Sequence, residues 1–329
     1  MRTCRALLAG LLFCIAVQTP GGRAQETSLE AGRKAYERTD YEGAISILNA
    51  AAAKEPGNGQ IQLLLTKAYL GAEQFNAAVK CGERAVAIDP KDSEYHDWLG
   101  QAYGEKADHS SIFSAYPLAR KTRKEFEIAF RLDEHNLDAA QHLIEYDCTA
   151  PPFVGGGEEK TRPLIQKLLL LDASQGHFAA GNCRRQKKDF SGADAEFMKA
   201  LESHPKSVDT IDEIAQYFAN RGLAERVLVA ADATEAAVPE DPRAKFYRAV
   251  GWVLQDERLP DAEMILQNYI HAVPRHPSYP DLATAHYWLG QLYEKQKNVA
   301  AARGEYEAAL KLNAKYKKAQ EALKQLRKS

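Results

Sequence analysis

Residues 282–313, LATAHYWLGQLYEKQKNVAAARGEYEAALKLN, read as two amphipathic helices joined by a short polar turn at Lys297-Asn298. Leu289, Gly290 and Tyr293 fall three or four apart on one face, and Ala302, Tyr306 and Ala309 do the same on the second segment. That is the period of a helix, not of a strand. Small residues stand where two helices must approach closely, and bulky ones fill the space between. One such pair cannot bury its own apolar face, so the stretch demands copies of itself elsewhere in the chain.

The copies are present. Gly32, Ala44, Leu48, Ala51 and Pro56 form a first unit, and Tyr69, Phe75, Ala78, Ala85 and Pro90 follow at a spacing of about 34 residues. A third opens with Leu99, Gly100 and Tyr103 and closes with Phe126 and Ala129. A fourth runs from Leu143 to Asp172, and a fifth holds Gly181, Ala193, Phe197, Ala200 and Pro205. Ile214, Ala215, Phe218 and Pro239 carry a sixth, and Ala249, Ala262, Leu266, Tyr269 and Pro274 a seventh. The prolines recur because each second helix must stop before the next unit begins. This pattern resembles the tetratricopeptide repeat (TPR), a helix–turn–helix unit of 34 residues. The resemblance implies an all-α TPR solenoid of about eight repeats over residues 25–329, with a capping helix near 319–326.

Residues 1–24 read differently. The short stretch 1–5 with its two arginines, the apolar run 6–17 and the small residues around Gly22 and Ala24 make a signal-peptide pattern, too short to span a membrane. Cleavage near Ala24 is expected, and with it a periplasmic or secreted protein without an integral membrane segment. The full chain has 43 basic and 45 acidic side chains. Losing Arg2, Arg5 and Arg23 leaves 40 against 45, with no basic stripe, so nucleic acid is a poor partner. Three cysteines remain: Cys81, Cys148 and Cys183. They allow one disulfide, but Cys81 and Cys183 lie inside helical patterns, where a buried thiol is the simpler reading.

Units three and four exceed the repeat length. The excess falls at 104–117 and 148–157, and both stretches read as long loops between the two helices of a unit. Neighbouring repeats stack in one orientation, so both loops should leave the same edge and touch. Ile112, Phe113 and Tyr116 on one, and Phe153 and Val154 on the other, are expected to bury against each other. Gly155, Gly156 and Gly157 supply a backbone free to take positive φ. The pairing either marks a binding face or covers a bend in the stack. A long Ser-rich loop followed by Val154-Gly-Gly-Gly157 also resembles a group of exported bacterial TPR proteins.

No His-Glu-x-x-His and no Cys-x-x-Cys occurs. His142 and Glu145 share one helix face, best read as the polar face of the fourth unit. Glu158 and Glu159 would repel an anion from the glycine turn. His271, His276 and His286 cluster in sequence, as loop histidines on a polar surface do. No catalytic residue, metal or cofactor is therefore assigned. The TPR resemblance instead implies a concave groove lined by first helices, with Phe178, Asn182, Arg185, Gln216, Tyr247, Tyr287 and Gln291 as candidate partner-binding residues beside Phe113, Tyr116 and Phe153. Leu63 with Lys67 does not match the lysine–asparagine clamp of chaperone-binding TPR domains. The expected function is a non-catalytic scaffold or adaptor of the bacterial envelope, binding a peptide or partner helix in the groove and at the paired loops. Alternatives are an accessory protein binding a cell-wall polymer through Phe113, Tyr116 and Phe153, and an enzyme. The oligomeric state is left open.

Overall fold

The computed structural model describes residues 27–326, and the signal-peptide reading lies outside them. Among the described residues there are eight helical pairs and one terminal helix. The pairs are α1 (Ser28–Glu37) with α2 (Tyr41–Lys54), α3 (Gly59–Gly71) with α4 (Phe75–Ile88), α5 (Ser93–Asp108) with α6 (Ile112–Leu132), and α7 (Leu137–Thr149) with α8 (Glu158–Leu171). They continue as α9 (Ala173–Gln186) with α10 (Phe190–Glu202), α11 (Val208–Asn220) with α12 (Ala224–Ala237), α13 (Pro242–Gln255) with α14 (Leu259–Ala272), and α15 (Leu282–Lys295) with α16 (Val299–Leu312). The terminal helix α17 spans Lys317–Leu326.

The small-against-large rule holds each pair together. A methyl group added at Gly32 would sit 2.5 Å from Leu48, at Gly100 2.5 Å from Phe126, at Gly181 2.6 Å from Phe197, and at Gly290 2.5 Å from Tyr306. These are the same two positions of the unit each time. They lie 16 residues apart except in the third unit, where they lie 26 apart. Asp, Asn or Ser side chains cap the starts of many of the helices: Asp40 accepts from Gly43 N–H, Asn58 from Ile61 and Asn298 from Ala301. Each cap satisfies an N–H that the first turn cannot use. The turn inside most units uses one left-handed residue, at Thr39, Glu73, Lys188, Gly222 and Lys297. Successive first helices touch one another along the inner side of the stack. The stack curls enough that Lys34 and Arg38 of the first unit share a hollow with residues 272–276 of the seventh.

Two expectations change here. Residues 104–117 are not a loop: the excess lengthens α5 to 16 residues and α6 to 21, leaving a turn of three. Gly104 is the single weak point, residues 105–108 contain no helix breaker, and Ser111 offers a start, so the helices simply run on. Pro117 is accommodated because the bond it cannot make falls to the carbonyl of Phe113, at the exposed first turn. Second, Cys183 is not a free thiol. It is disulfide-bonded to Cys148, which ends α7 instead of opening the loop, and Cys81 is the free buried cysteine.

Candidate functional site

The overhang of α5 and α6 builds the principal cleft. A hairpin longer than its neighbours projects past them, so the inner wall near its tip is only partly covered. The resulting hollow measures about 1260 Å³ and lies between the second, third and fourth units. Leu70 and Phe75 enter from the second unit, and Trp98, Gln101 and Phe126 from the third. His142, Tyr146, Phe153 and Val154 come from the fourth, and Ile112, Phe113 and Tyr116 stand at its mouth.

The far wall is held rigidly. After α7 the chain makes a short 3-10 turn, Pro152–Val154, and its glycines are required by geometry. Gly155 has φ of 102° and Gly157 of 150°, both costly for other residues. Gly156 instead lies against the Ala150 carbonyl, where a β-carbon would come within 2.0 Å. Tyr146 donates to the Val154 carbonyl at 3.1 Å, and Gly157 N–H donates to the Asp147 carbonyl at 2.9 Å. Beneath the turn Arg123 grips the buried Asp147 through two bonds, 2.7 and 3.1 Å, and Glu127 at 2.8 Å. The Asp147 bonds hold its guanidinium firmly protonated against burial.

The paired segments touch as expected, but they do not bury each other. Tyr116 stacks on Phe153 with ring centres 6.2 Å apart and its hydroxyl 3.4 Å from the Phe153 carbonyl. Only Val154 is buried; Ile112 remains 83% exposed, Phe113 90% and Phe153 70%. The contact joins a helix to a turn, and a helix turned outward at this point leaves its apolar side chains in solvent. Phe75 stacks on His109 at 4.4 Å and closes the opposite end of the cleft.

The inner groove candidates fare differently. Phe178 and Tyr247 are core residues, not groove surface: Phe178 packs on Phe197, and Tyr247 donates from the interior to Asp212 at 2.8 Å. Phe178 is buried against the second helix of its own unit, and Tyr247 against the first helix of the preceding one. Asn182 is buried too, with its Oδ1 unpaired. Tyr287 is covered, its ring meeting Tyr306 at 5.9 Å and Tyr316 at 5.7 Å with Lys318 of α17 above it. Gln291 points inward to the Tyr306 hydroxyl. Arg185 is half-buried, and exposed Gln216 is bonded to Asp212 at 3.0 Å.

Further along the inner wall, titratable groups crowd. Burial pushes Asp212 up to about 6, against the hydrogen bond from Tyr247. Glu213 is pushed up to about 7 by its crowded position first and by Glu145 second. Glu213 keeps solvent exposure, so the walls around it matter more than contact burial. His142 is held above the usual histidine range: burial opposes its charge, but Asp97 at 2.8 Å outweighs it. His286 pairs with Glu305 at 2.6 Å and His276 accepts from Ser278 N–H at 3.2 Å, so the two are engaged separately. Among the described residues no three His, Cys, Asp or Glu side chains gather as a metal ion needs, and no helix is long and apolar enough to cross a membrane.

Trp98, Leu70, Glu105 and Asp108 belong to the cleft and escaped sequence reading. Glu105 and Asp108 fall in the stretch that reads as a loop, although their spacing of three is a helix-face signal.

Comparison with repeat-family models agrees with the architecture. Tetratricopeptide repeat models match residues 35–102 and 283–316. No curated protein matches the chain. Among solved structures, a thermophilic TPR protein of Thermus thermophilus is 18% identical, covering 57% of this chain and 96% of its own at a TM-score of 0.47. MamA is 21% identical over 52% and 93%, at 0.41. A tetratricopeptide repeat protein of Parabacteroides merdae is 11% identical over 91% and 97%, at 0.42. TPR domains bind protein partners, and no enzyme family is indicated by the matches. With eight helical hairpins stacked in one orientation and repeat models matched near both ends, the fold is an all-α TPR solenoid.

Proposed function

We propose that the chain is a non-catalytic scaffold that holds a protein partner in the cleft between its second, third and fourth units. The observation that carries this reading is the overhang of α5 and α6. It leaves Ile112, Phe113 and Phe153 unburied beside a hollow of about 1260 Å³. An exposed apolar cluster around a concavity is costly unless something covers it. The volume exceeds that of an ordinary small-molecule pocket, roughly 300–1,000 Å³. Taking a helix as a cylinder ~10 Å across rising ~1.5 Å per residue, it accommodates about ten residues, roughly three turns.

The working place of this scaffold is the envelope of a bacterial cell, periplasmic or secreted. The basic–apolar–small pattern of residues 1–24 supports export, and the Cys148–Cys183 disulfide fits an oxidising compartment.

A photo-crosslinking residue in place of Phe113, and separately of Phe153, tests the reading in cells making the protein. Each is expected to trap one discrete protein partner. The same probe at Met264, exposed on α14, is expected to trap none. Equal adducts from all three positions, or none from the first two, would sink the proposal.

A further inference from the structure

The cleft has a chemical asymmetry that its apolar floor conceals. Glu73, Glu105, Asp108 and Glu145 all line it, all are exposed, and no lysine or arginine lines it. None of the four is in an ion pair among the described residues, although the surface elsewhere pairs its charges readily, as in Lys187–Glu158 and Lys167–Glu134. The cations nearby are committed or set back: Lys67, 4.6 Å from the Trp98 ring centre, is paired with Glu94 at 2.8 Å. Arg123 is held by Asp147 and Glu127, Lys160 donates to the Gly155 carbonyl, and Arg120 acts on Tyr146 from outside the lining. The two histidines of the cleft are also engaged, His142 with Asp97 and His109 with the Glu105 carbonyl.

An apolar floor of Leu70, Trp98, Phe126 and Val154 under a rim of four unpaired carboxylates has a definite complement. We infer that the occupant is an amphipathic cationic helix of a partner protein, its apolar stripe on the floor and its lysines or arginines against the rim. The inference rests on the cleft-binding reading above and specifies the partner's chemistry. Helix-in-groove recognition supplies the affinity through the apolar stripe, and the charged rim supplies discrimination against acidic sequences.

Two fluorescein-labelled fourteen-residue peptides, each with a leucine stripe at helical spacing, make the test. One carries lysine on its polar face and the other glutamate. Fluorescence anisotropy is measured with the chain lacking residues 1–24, at pH 7.5. The lysine peptide is expected to bind at least about tenfold more tightly, since several exposed ion pairs act together. The preference should shrink in high salt, where surface charges are screened. Glu105→Lys with Asp108→Lys leaves two negative and two positive charges on the rim and should abolish the preference between the two peptides. Both positions are exposed in the last turn of α5, where lysine suits the helix dipole, and circular dichroism confirms folding. Equal binding of both peptides, lost in Phe113→Ser with Phe153→Ser, overturns the charge inference and leaves the cleft-binding reading standing. Failure of both peptides while crosslinking from position 113 persists also overturns the inference alone. If that crosslinking is absent too, both fall. A concentration-dependent dimer abolished by Phe113→Ser makes a second copy the occupant and overturns the inference as well.

Discussion

Ala309 has no exposed surface and packs among Ala302, Tyr306, Ala319 and Ala322. A leucine there has nowhere to go, because interiors are already close-packed. Ala309→Leu is expected to cost about 1–3 kcal/mol in a denaturation measurement. An unchanged midpoint would mean that α16 and α17 do not close as described. Positions of this kind were legible from spacing alone, since smallness at a fixed place has one structural cause. Phe178 and Tyr247 show where such reading ends. Their repeat positions match those of groove residues, but the side chains packed around each one decide whether it faces solvent. That packing is three-dimensional, and no local period reports it. Phe113 and Phe153, expected to bury each other, stay exposed instead, since apolar side chains in an insertion have no core position waiting for them.

At the scale of elements, length was readable in the third unit but conformation was not. Ten surplus residues are evident from the register, yet nothing forbids two helices from absorbing them. Ser111 and Pro117 look like loop residues until they are seen as a helix start and its first turns. In the fourth unit the surplus does form a turn, because Pro151, Pro152 and three glycines cannot continue a helix. The disulfide then ties α7 to α9 across that turn and across α8. With its cysteines 35 residues apart, the chain-entropy account gives about 4 kcal/mol of stabilisation. Cys148→Ser with Cys183→Ser is therefore expected to lower unfolding free energy by about 2–4 kcal/mol. A drop smaller than that, or none, would show that the packing of α7 on α9 fixes the geometry by itself. Loosening here should also blunt cleft binding, since Phe153 and Val154 hang from the same turn.

Over the whole molecule the inner wall brings carboxylates of α7 and α11 into one crowded channel, and this sets a pH dependence. Asp212 and Glu213 have folded values of about 6 and about 7, above those of an unfolded chain. Groups raised on folding stabilise fully below their unfolded values and lose that contribution as pH climbs through the folded ones. His142, also raised, acts in the same direction from its unfolded value upward. Glu196 and Asp241 are lowered and oppose the trend only in more acid solution, near and below the ordinary carboxylate range. The melting temperature is thus expected to rise as pH falls from about 8.5 to about 5.5. Asp212→Asn combined with Glu213→Gln should flatten the slope, and a slope unchanged in that variant would assign the effect elsewhere. The Cys148–Cys183 bond has one more effect at this scale, on the connectivity of the chain as a covalent object. It straddles the exposed turn at Phe153, which lies outside the α-helices and carries a chymotrypsin-type residue. Chymotrypsin cutting there should yield two pieces that migrate as one band without reductant and as two with it. A nicked molecule would thus remain one molecule, its halves unable to part while the bond lasts.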